Sequence, residues 1–498
     1  MTLSFPKTQI WWLVFFALVP LLVSIQKMTI KESFFCGLTT GFVHFSTLIY
    51  WIVPCLNIYG RLHPTLSVLV LGLLCTYLAL YLAIFTLIIK KTDFNRVAFP
   101  FLAACLWVSL EYIRTYAFTG FSWGLLGYSQ YSNLLFIQIA DLTGVYGVSF
   151  LVVLVNTLLA TLWTAQKKEQ ITNCIPSLVY TLLLVFAALF YGHQKIKTID
   201  SQIISARRAT IGVVQGNIEQ DVKWSPVFKA RTIEKYIGLS QTLLVHAPDL
   251  IVWPETALPF YFGYDKPLSE RVKYGIRSLN ASFLVGSPAF ESHDKTIRYF
   301  NRAYMFNPLG DVAGTYDKHH LVPFGEYVPF GKYLAFLGKI TAQAGDFSAG
   351  TTSFIPLEFN DHKTGILVCF EILFPGIASE FVKNGATFLT TLTNDAWFGF
   401  TSAARQHFSI GVFRAVENRR VLVRAANTGI SGFIDPAGKI LRTTDLFTDI
   451  AIVQDLPALK TISLYTTYGD VFTWLAMLAF CLGFMVNCFN NKLKEKPK

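Results

Sequence analysis

Charge is scarce in this sequence: Asp, Glu, Lys and Arg make up 15% of 498 residues, while 53% are apolar. An ordinary soluble domain carries roughly 25% charged residues, so a soluble multidomain enzyme is excluded. Cysteine is nearly missing from the polar middle of the chain. Of eight Cys, seven (36, 55, 75, 105, 174, 481 and 488) lie in or beside apolar stretches, and Cys369 stands alone in the central region. A lone thiol cannot close a disulfide within its own domain, which makes a catalytic role worth considering. Metal-ligand spacing is missing as well. The nine His show no such pattern, and the adjacent His319 and His320 point apart on any regular element. No metal or other cofactor is expected. Acidic residues are almost absent from the apolar runs. Glu111 and Asp141 come nearest, at run ends from which a side chain reaches the interface, and a pump or ion-coupled transporter needs charge deeper than that.

What is abundant is hydrophobic length. Crossing the hydrocarbon core takes about 20 mostly apolar residues in a helix. Seven segments qualify: 10–25, 33–53, 66–89, 97–113, 144–165, 175–192 and 471–488. The first is the shortest and contains Pro20. Its alternative is a cleaved signal peptide, against which stand a thin basic start (Lys7) and the lack of a small-x-small site after it. The net charge is +11, yet residues 201–465 hold 26 Lys/Arg against 23 Asp/Glu. The excess therefore flanks the hydrophobic runs, pointing to a membrane partner rather than nucleic acid.

Basic residues stay on the cytoplasmic side of short loops. One set of alternate loops holds Lys27, Lys31, Lys90, Lys91, Arg96, Lys167, Lys168, Lys492, Lys494, Lys496 and Lys498; the other holds Lys7, Arg61, Arg114, Lys195 and Lys197. The tail is thus cytoplasmic, and the central region, one span away, is extracytoplasmic, where ATP-dependent chemistry is not expected. Three domains follow: a transmembrane domain of about six spans (1–194), an extracytoplasmic domain (195–467), and a last span with its basic tail (468–498). The aromatic connection 116–133, with Phe118, Phe121, Trp123, Tyr128 and Tyr131, reads either as an interfacial belt or as part of a groove through which lipid enters.

After Arg208 the pattern changes to short β-rich runs separated by longer mixed segments. Strands are predicted at 210–214, 250–253, 282–286, 303–307, 365–369, 387–393, 421–425 and 432–435, and helices at 227–246, 377–384 and 403–419. That alternation indicates a layered α/β domain with a buried sheet. Three strands run directly into chemistry-bearing residues: 250–253 into Glu255, 365–368 into Cys369, and 389–393 into Asn394 and Asp395. Functional groups in open α/β sheets gather outside strand ends, so these residues can meet although far apart in sequence. A loop with two Pro and a Gly, 316–329, adds Lys318 and Glu326. A Cys, a Lys and a carboxylate suit acyl transfer, with the thiolate as nucleophile, the cation favouring its ionised form and the carboxylate moving the proton. Each residue alone also has an ordinary reading: a small buried hydrophobe, a solvated charge, a helix cap.

Together, Trp253-Pro-Glu255-Thr, Asp317-Lys318-His-His-Leu-Val-Pro-Phe-Gly-Glu326, Cys369-Phe-Glu371 and Asn394-Asp-Ala-Trp397-Phe-Gly resemble the nitrilase superfamily. With the flanking helices, and Val214-Gln-Gly-Asn217 followed by Trp224, the chain resembles specifically the membrane-embedded apolipoprotein N-acyltransferase family of Gram-negative bacteria. The resemblance implies an α-β-β-α sandwich, inner-membrane location with a periplasmic catalytic domain, a phospholipid acyl donor and a diacylglyceryl apolipoprotein acceptor. It implies Glu255 as general base, Lys318 as oxyanion stabiliser, Cys369 as nucleophile, Glu326 and Glu371 as supporting acids, and the Phe370 N–H as second oxyanion donor. Trp224, Asn394 and Trp397 match positions near the substrate pocket. Two departures stand out: Phe370 replaces a common Tyr, and six rather than seven helices precede the domain. The apolar segments 257–264 and 333–340 are expected to be either mobile arms lining the lipid route or parts of the core. The rival readings are a membrane-tethered nitrilase-type amidase or hydrolase, which needs only one span, and a transporter with an accessory domain.

Overall fold

The computed structural model describes residues 1–92, 97–220, 223–293, 296–328 and 347–494. The chain divides into two compact units, one of Met1–Val53, Pro64–Lys197 and Tyr468–Lys498, the other of Pro54–His63 and Thr198–Thr467.

Four helices among the described residues are long and apolar enough to cross a membrane: Pro64–Lys90, Val145–Thr164, Gln170–Ser205 and Val471–Phe489. A fifth span results if Ile30–Leu48 and Ile52–Tyr59, which meet at 61°, count as one. The expected span at 10–25 is instead a series of short turns around Val19–Ser24. Pro20 has no N–H to give a helix, and the exposed backbone finds a partner in Asn156, which accepts from Leu18 N–H at 2.8 Å and donates to the Val14 carbonyl at 2.8 Å. Such internal satisfaction is what an apolar solvent demands of a broken segment. Segment 97–113 becomes Phe99–Tyr116, an 18-residue helix that carries Glu111 and Arg114. Ile30–Leu48 packs tightly on Pro64–Lys90 through small residues: a Cβ at Gly37 would meet Thr86 Oγ1 at 2.1 Å, and one at Gly41 would meet Ala79 Cα at 2.8 Å. Small residues four apart let helix backbones approach where no hydrophobic effect drives them together.

The acidic residues of the apolar runs are enclosed by protein. Glu111, Arg114 and Asp141 are all buried. Glu111 accepts the Leu126 N–H at 2.8 Å, and Asp141 accepts from Tyr191 Oη at 2.8 Å while pairing with Lys195 at 3.0 Å. Neighbouring segments supply the partners that water would otherwise provide. In the connection 116–133, Trp123 and Tyr128 are buried and Phe118 is exposed.

The second unit is built on two six-stranded sheets. The strands are β1 (Arg207–Gln215), β2 (Leu250–Val252), β3 (Ser282–His293), β4 (Thr296–Phe306), β5 (Val312–Asp317), β6 (Leu357–Phe359), β7 (His362–Val368), β8 (Phe388–Thr393), β9 (Val421–Ala426), β10 (Gly432–Ile434), β11 (Ile440–Thr443) and β12 (Ile450–Ala458). One sheet has the order β12-β1-β2-β3-β4-β5, the other β11-β10-β9-β8-β7-β6. Each has a parallel core, β1-β2-β3 and β7-β8-β9, flanked by antiparallel strands. Helices Pro226–Gln241 and Lys266–Leu279 cover the first sheet, burying Ile233, Tyr236, Val272 and Ile276 against Ile251, Phe283 and Val285. Helices Pro375–Lys383 and Ala403–Asn418 cover the second, where a Cβ at Gly365 would strike Phe381 at 2.4 Å. Between the sheets, Gln215 Oε1 accepts from Ser431 Oγ and Thr444 Oγ1, both at 2.7 Å. The result is the α-β-β-α sandwich, in which apolar strands with both faces covered put their chemistry at the strand ends.

Candidate active site

β2 is buried along its whole length, and Pro254, which cannot donate to a ladder, takes the chain out of the sheet immediately after it. Trp253 anchors the exit. It is fully buried, donates from Nε1 to Ser240 Oγ at 2.9 Å and stacks on Tyr236 at 5.1 Å. β3 passes so close beneath that a Cβ at Gly286 would lie 2.6 Å from the Pro254 carbonyl. Glu255 is thereby aimed at fixed donors. Its Oε1 accepts from Asn301 Nδ2 at 2.7 Å and its Oε2 from the Asn394 N–H at 2.8 Å.

Lys318 follows β5 and is buried. Its Nζ lies 3.9 Å from Glu255 and 2.9–3.0 Å from both oxygens of Glu326. Glu326 in turn accepts from Asn301 Nδ2 at 3.0 Å and the Val322 N–H at 2.8 Å. Asn301 thus bridges the two carboxylates, and one ammonium faces both. Burial pushes the Glu255 carboxyl above its ordinary range, against the pull of Lys318. Burial also disfavours charge on Lys318, but Glu326, Glu255 and Cys369 outweigh it and raise its pKa.

Cys369 follows β7 in a left-handed conformation, φ 51°, at the start of a 3-10 turn, Cys369–Leu373. A non-glycine residue held there stores about 1–3 kcal/mol of strain, and such strain persists where surrounding contacts fix it. His407 Nε2 lies 3.2 Å from the Cys369 carbonyl, which can only accept, so Nε2 carries the proton. His407 Nδ1 is then free to accept from Arg424 Nη2 at 2.9 Å. Burial and Arg424 lower the His407 pKa, consistent with this neutral tautomer. Asp395 accepts from Arg424 Nη2 and Thr393 Oγ1, each at 2.8 Å, and despite burial the Arg424 guanidinium holds its pKa low. Burial, then the charge on Glu255, push the Cys369 thiol up, while Lys318 pulls it down. Cys369 therefore rests as a thiol, and ionising it takes a base.

Glu371 stitches the two halves together. One oxygen accepts from Tyr316 Oη at 2.7 Å and from the N–H groups of His319 and His320 at 2.8 and 3.1 Å; the other accepts the Val368 N–H at 2.7 Å. It joins the loop bearing Lys318 to the strand bearing Cys369. Phe370 packs its ring 5.4 Å from Phe374 and 5.8 Å from His320.

Of the three residues matched to a substrate pocket, Trp224 is partly exposed on the turn after β1. Asn394 is buried and committed internally, donating to Gln220 Oε1 at 2.8 Å and accepting from Asn427 Nδ2 at 3.0 Å. Trp397 packs edge-on against Tyr59 at 5.2 Å, and its carbonyl accepts from the Cys55 thiol at 2.8 Å. The mobile-arm reading of 257–264 is overturned: Ala257, Leu258 and Phe260 are buried, and Phe262 lies 5.0–5.2 Å from Phe306 and Tyr304. Apolar burial against the sheet outweighs freedom there, leaving Tyr261, Gly263 and Tyr264 exposed. Residues 333–340 lie outside the described residues. Asn301, His407, Arg424 and the buried Lys223 are residues around the site that motif reading passed over, while Asp395 was noted at its strand end without a role. Arg424, a charge inside the apolar run Val421–Ala426, was the one local signal. Among the described residues no three of His, Cys, Asp and Glu gather as a metal would require.

Residues 1–158 match the family model described as apolipoprotein N-acyltransferase N-terminal domain, and residues 210–459 match the carbon-nitrogen hydrolase model. An apolipoprotein N-acyltransferase of Geobacter metallireducens is 41% identical over 476 residues, covering 95% of this chain and 90% of the relative. Enzymes of the same name from Nitrosomonas europaea and Pasteurella multocida are 30% and 28% identical, covering 91% and 94% of this chain and 88% and 89% of their own.

Proposed function

Since the chain belongs to the apolipoprotein N-acyltransferase family, a family of membrane enzymes that N-acylate lipoproteins with a chain taken from lipid, we propose that it works by two successive exchanges at Cys369. In the first, Glu255 takes the thiol proton while Sγ attacks the ester carbonyl of a phospholipid. Lys318 and the Phe370 N–H receive the oxyanion, the ester C–O bond breaks, and Glu255 returns the proton to the departing lysophospholipid. A thioester remains. In the second, the α-amine of a diacylglyceryl-cysteine N-terminus attacks the thioester, Glu255 takes its proton, the C–S bond breaks, and the proton passes back to the thiolate.

The observation that carries this reading is the buried pairing of Lys318 with Glu255 at 3.9 Å and Glu326 at 2.9 Å, in electrostatic contact with Cys369. Moving the Cys369 proton to Glu255 trades a carboxylate for a thiolate beside the same ammonium. At an effective dielectric near 20, two unit charges 4 Å apart attract by about 4 kcal/mol, so the ion pair formed in that step is retained rather than lost. Glu326 and Asn301 keep Lys318 and Glu255 in register, and Glu371 keeps the lysine loop on the nucleophile strand. The loop-charge asymmetry supports a periplasmic orientation for the catalytic unit. Trp224 and Trp397 would border the acyl pocket, while Asn394 would hold the base.

The test is intact-protein mass after incubation with phospholipid. A fatty-acyl increment on wild type that is absent from Cys369→Ala, and that is discharged by a diacylglyceryl peptide, is the expected result. No increment, or one unchanged in Cys369→Ala, overturns the reading.

A further inference from the structure

The site contains a second buried cation. Lys223 sits on the turn after β1, with its backbone N–H donating to the Glu219 carbonyl at 3.2 Å. The turn is clamped by Asn427, whose carbonyl accepts from the Asn217 N–H at 2.9 Å and whose amide bonds both Ile218 N–H and the Ile218 carbonyl, at 2.9 and 2.8 Å. Gln220 in the same turn holds Asn394, and Asn394 holds Glu255. Lys223 is 1% exposed, and its Nζ has no hydrogen-bond partner among the described residues. It feels the charge of Glu255. The contrast with Lys318 is plain, since that ammonium is saturated by Glu326.

Withdrawing an ammonium from water without an acceptor costs several kcal/mol, and buried polar groups left unpaired are few enough in native structures to need a reason. Burial lowers the Lys223 pKa to about 8, with Glu255 opposing, so the group still carries its proton at neutral pH. What the site lacks for it is an anion. Of the reacting species, the acceptor brings an amine and the thioester is neutral, but a glycerophospholipid brings a phosphodiester that is ionised at every physiological pH.

We propose that Lys223 is a donor-specificity residue that receives the phosphodiester of the incoming glycerophospholipid, setting its ester carbonyl against Cys369. This rests on the reading that the donor is a phospholipid.

The test compares two acyl donors on the full-length enzyme, phosphatidylglycerol and the phosphate-free ester p-nitrophenyl palmitate, following the mass increment on Cys369. In K223M the ratio of the phospholipid rate to the neutral-ester rate falls at least tenfold, and K223R recovers most of it. Should Met at this buried position abolish folding, K223Q against K223R gives the same comparison. Both rates falling in proportion would mean that Lys223 serves Glu255 or the fold, and overturns the proposal, as does an unchanged ratio. A wild type acylated by the neutral ester but never by phospholipid removes the underlying donor reading instead, and with it this proposal.

Discussion

The two sheets of the sandwich equip the site in different ways. The first, through β2, β4 and the loop after β5, supplies Glu255, Asn301, Lys318 and Glu326, whose side chains contact one another directly. The second supplies Cys369, the proposed nucleophile, whose support is mostly indirect, through its own carbonyl, His407 and the Arg424–Asp395 pair. Proton transfer and charge stabilisation depend on distances between ionisable groups, so they are held by side-chain bonds. A thiol needs mainly a direction of attack, which a strained backbone provides. Damage to the first sheet should therefore change the chemistry, and damage to the second should chiefly loosen it.

The comparison can be broken at several strengths. Lys318→Met leaves Glu255 and Glu326 as buried like charges without their cation. Removal of an oxyanion donor alone costs about 10²–10³ in rate, so acyl-enzyme formation by mass should fall at least a thousandfold. Glu255→Gln, which removes the proposed base, should lose about 10²–10⁴ in single-turnover acylation. The pH dependence of the wild type sharpens the contrast. Acylation needs ionised Glu255, and its pKa is raised by burial, so the acidic limb should lie above the ordinary glutamate value of about 4.3. Because Lys318 pulls that pKa down, residual activity of Lys318→Met should have its limb shifted further up, whereas His407→Ala should leave the limb in place. His407→Ala should instead lower thermal stability by about 1–3 kcal/mol, the cost of stranding buried partners, and slow acylation about tenfold. Trp397→Ala should be mildest, losing about 0.5–1.5 kcal/mol of aromatic pairing with Tyr59 in a melting experiment. Equal losses in Lys318→Met and His407→Ala would erase the distinction between the sheets.

Legibility followed the range of the interactions. Glu255, Cys369 and Asn394 were readable because each follows an apolar run that the chain leaves abruptly, and the family resemblance then tied them to Lys318, Glu326 and Glu371. Asn301 was not, because its role exists only once β4 pairs with β5 and Lys318 N–H meets the Asn301 carbonyl at 2.9 Å. β5, β6, β11 and β12 were missed for a related reason. β12 gains its strand character from antiparallel pairing with β1, with Arg207 opposite Ala458, across most of the domain's length. In the helical unit, counting apolar residues overestimated continuity at 10–25, where Asn156 accommodates a break, and underestimated the burial of Glu111 and Asp141, whose partners come from segments distant in sequence.

The grouping of Pro54–His63 with the sandwich has a practical corollary. Anyone excising the catalytic half as Thr198–Thr467 would discard the ten-residue stretch that presents Cys55 and Tyr59 to Trp397. Such a truncated product would keep every proposed acid, base and nucleophile yet uncover more of an indole that is part-buried in the intact polypeptide. Soluble versions of this half should be engineered with that stretch grafted back, or with Trp397 replaced by a polar residue.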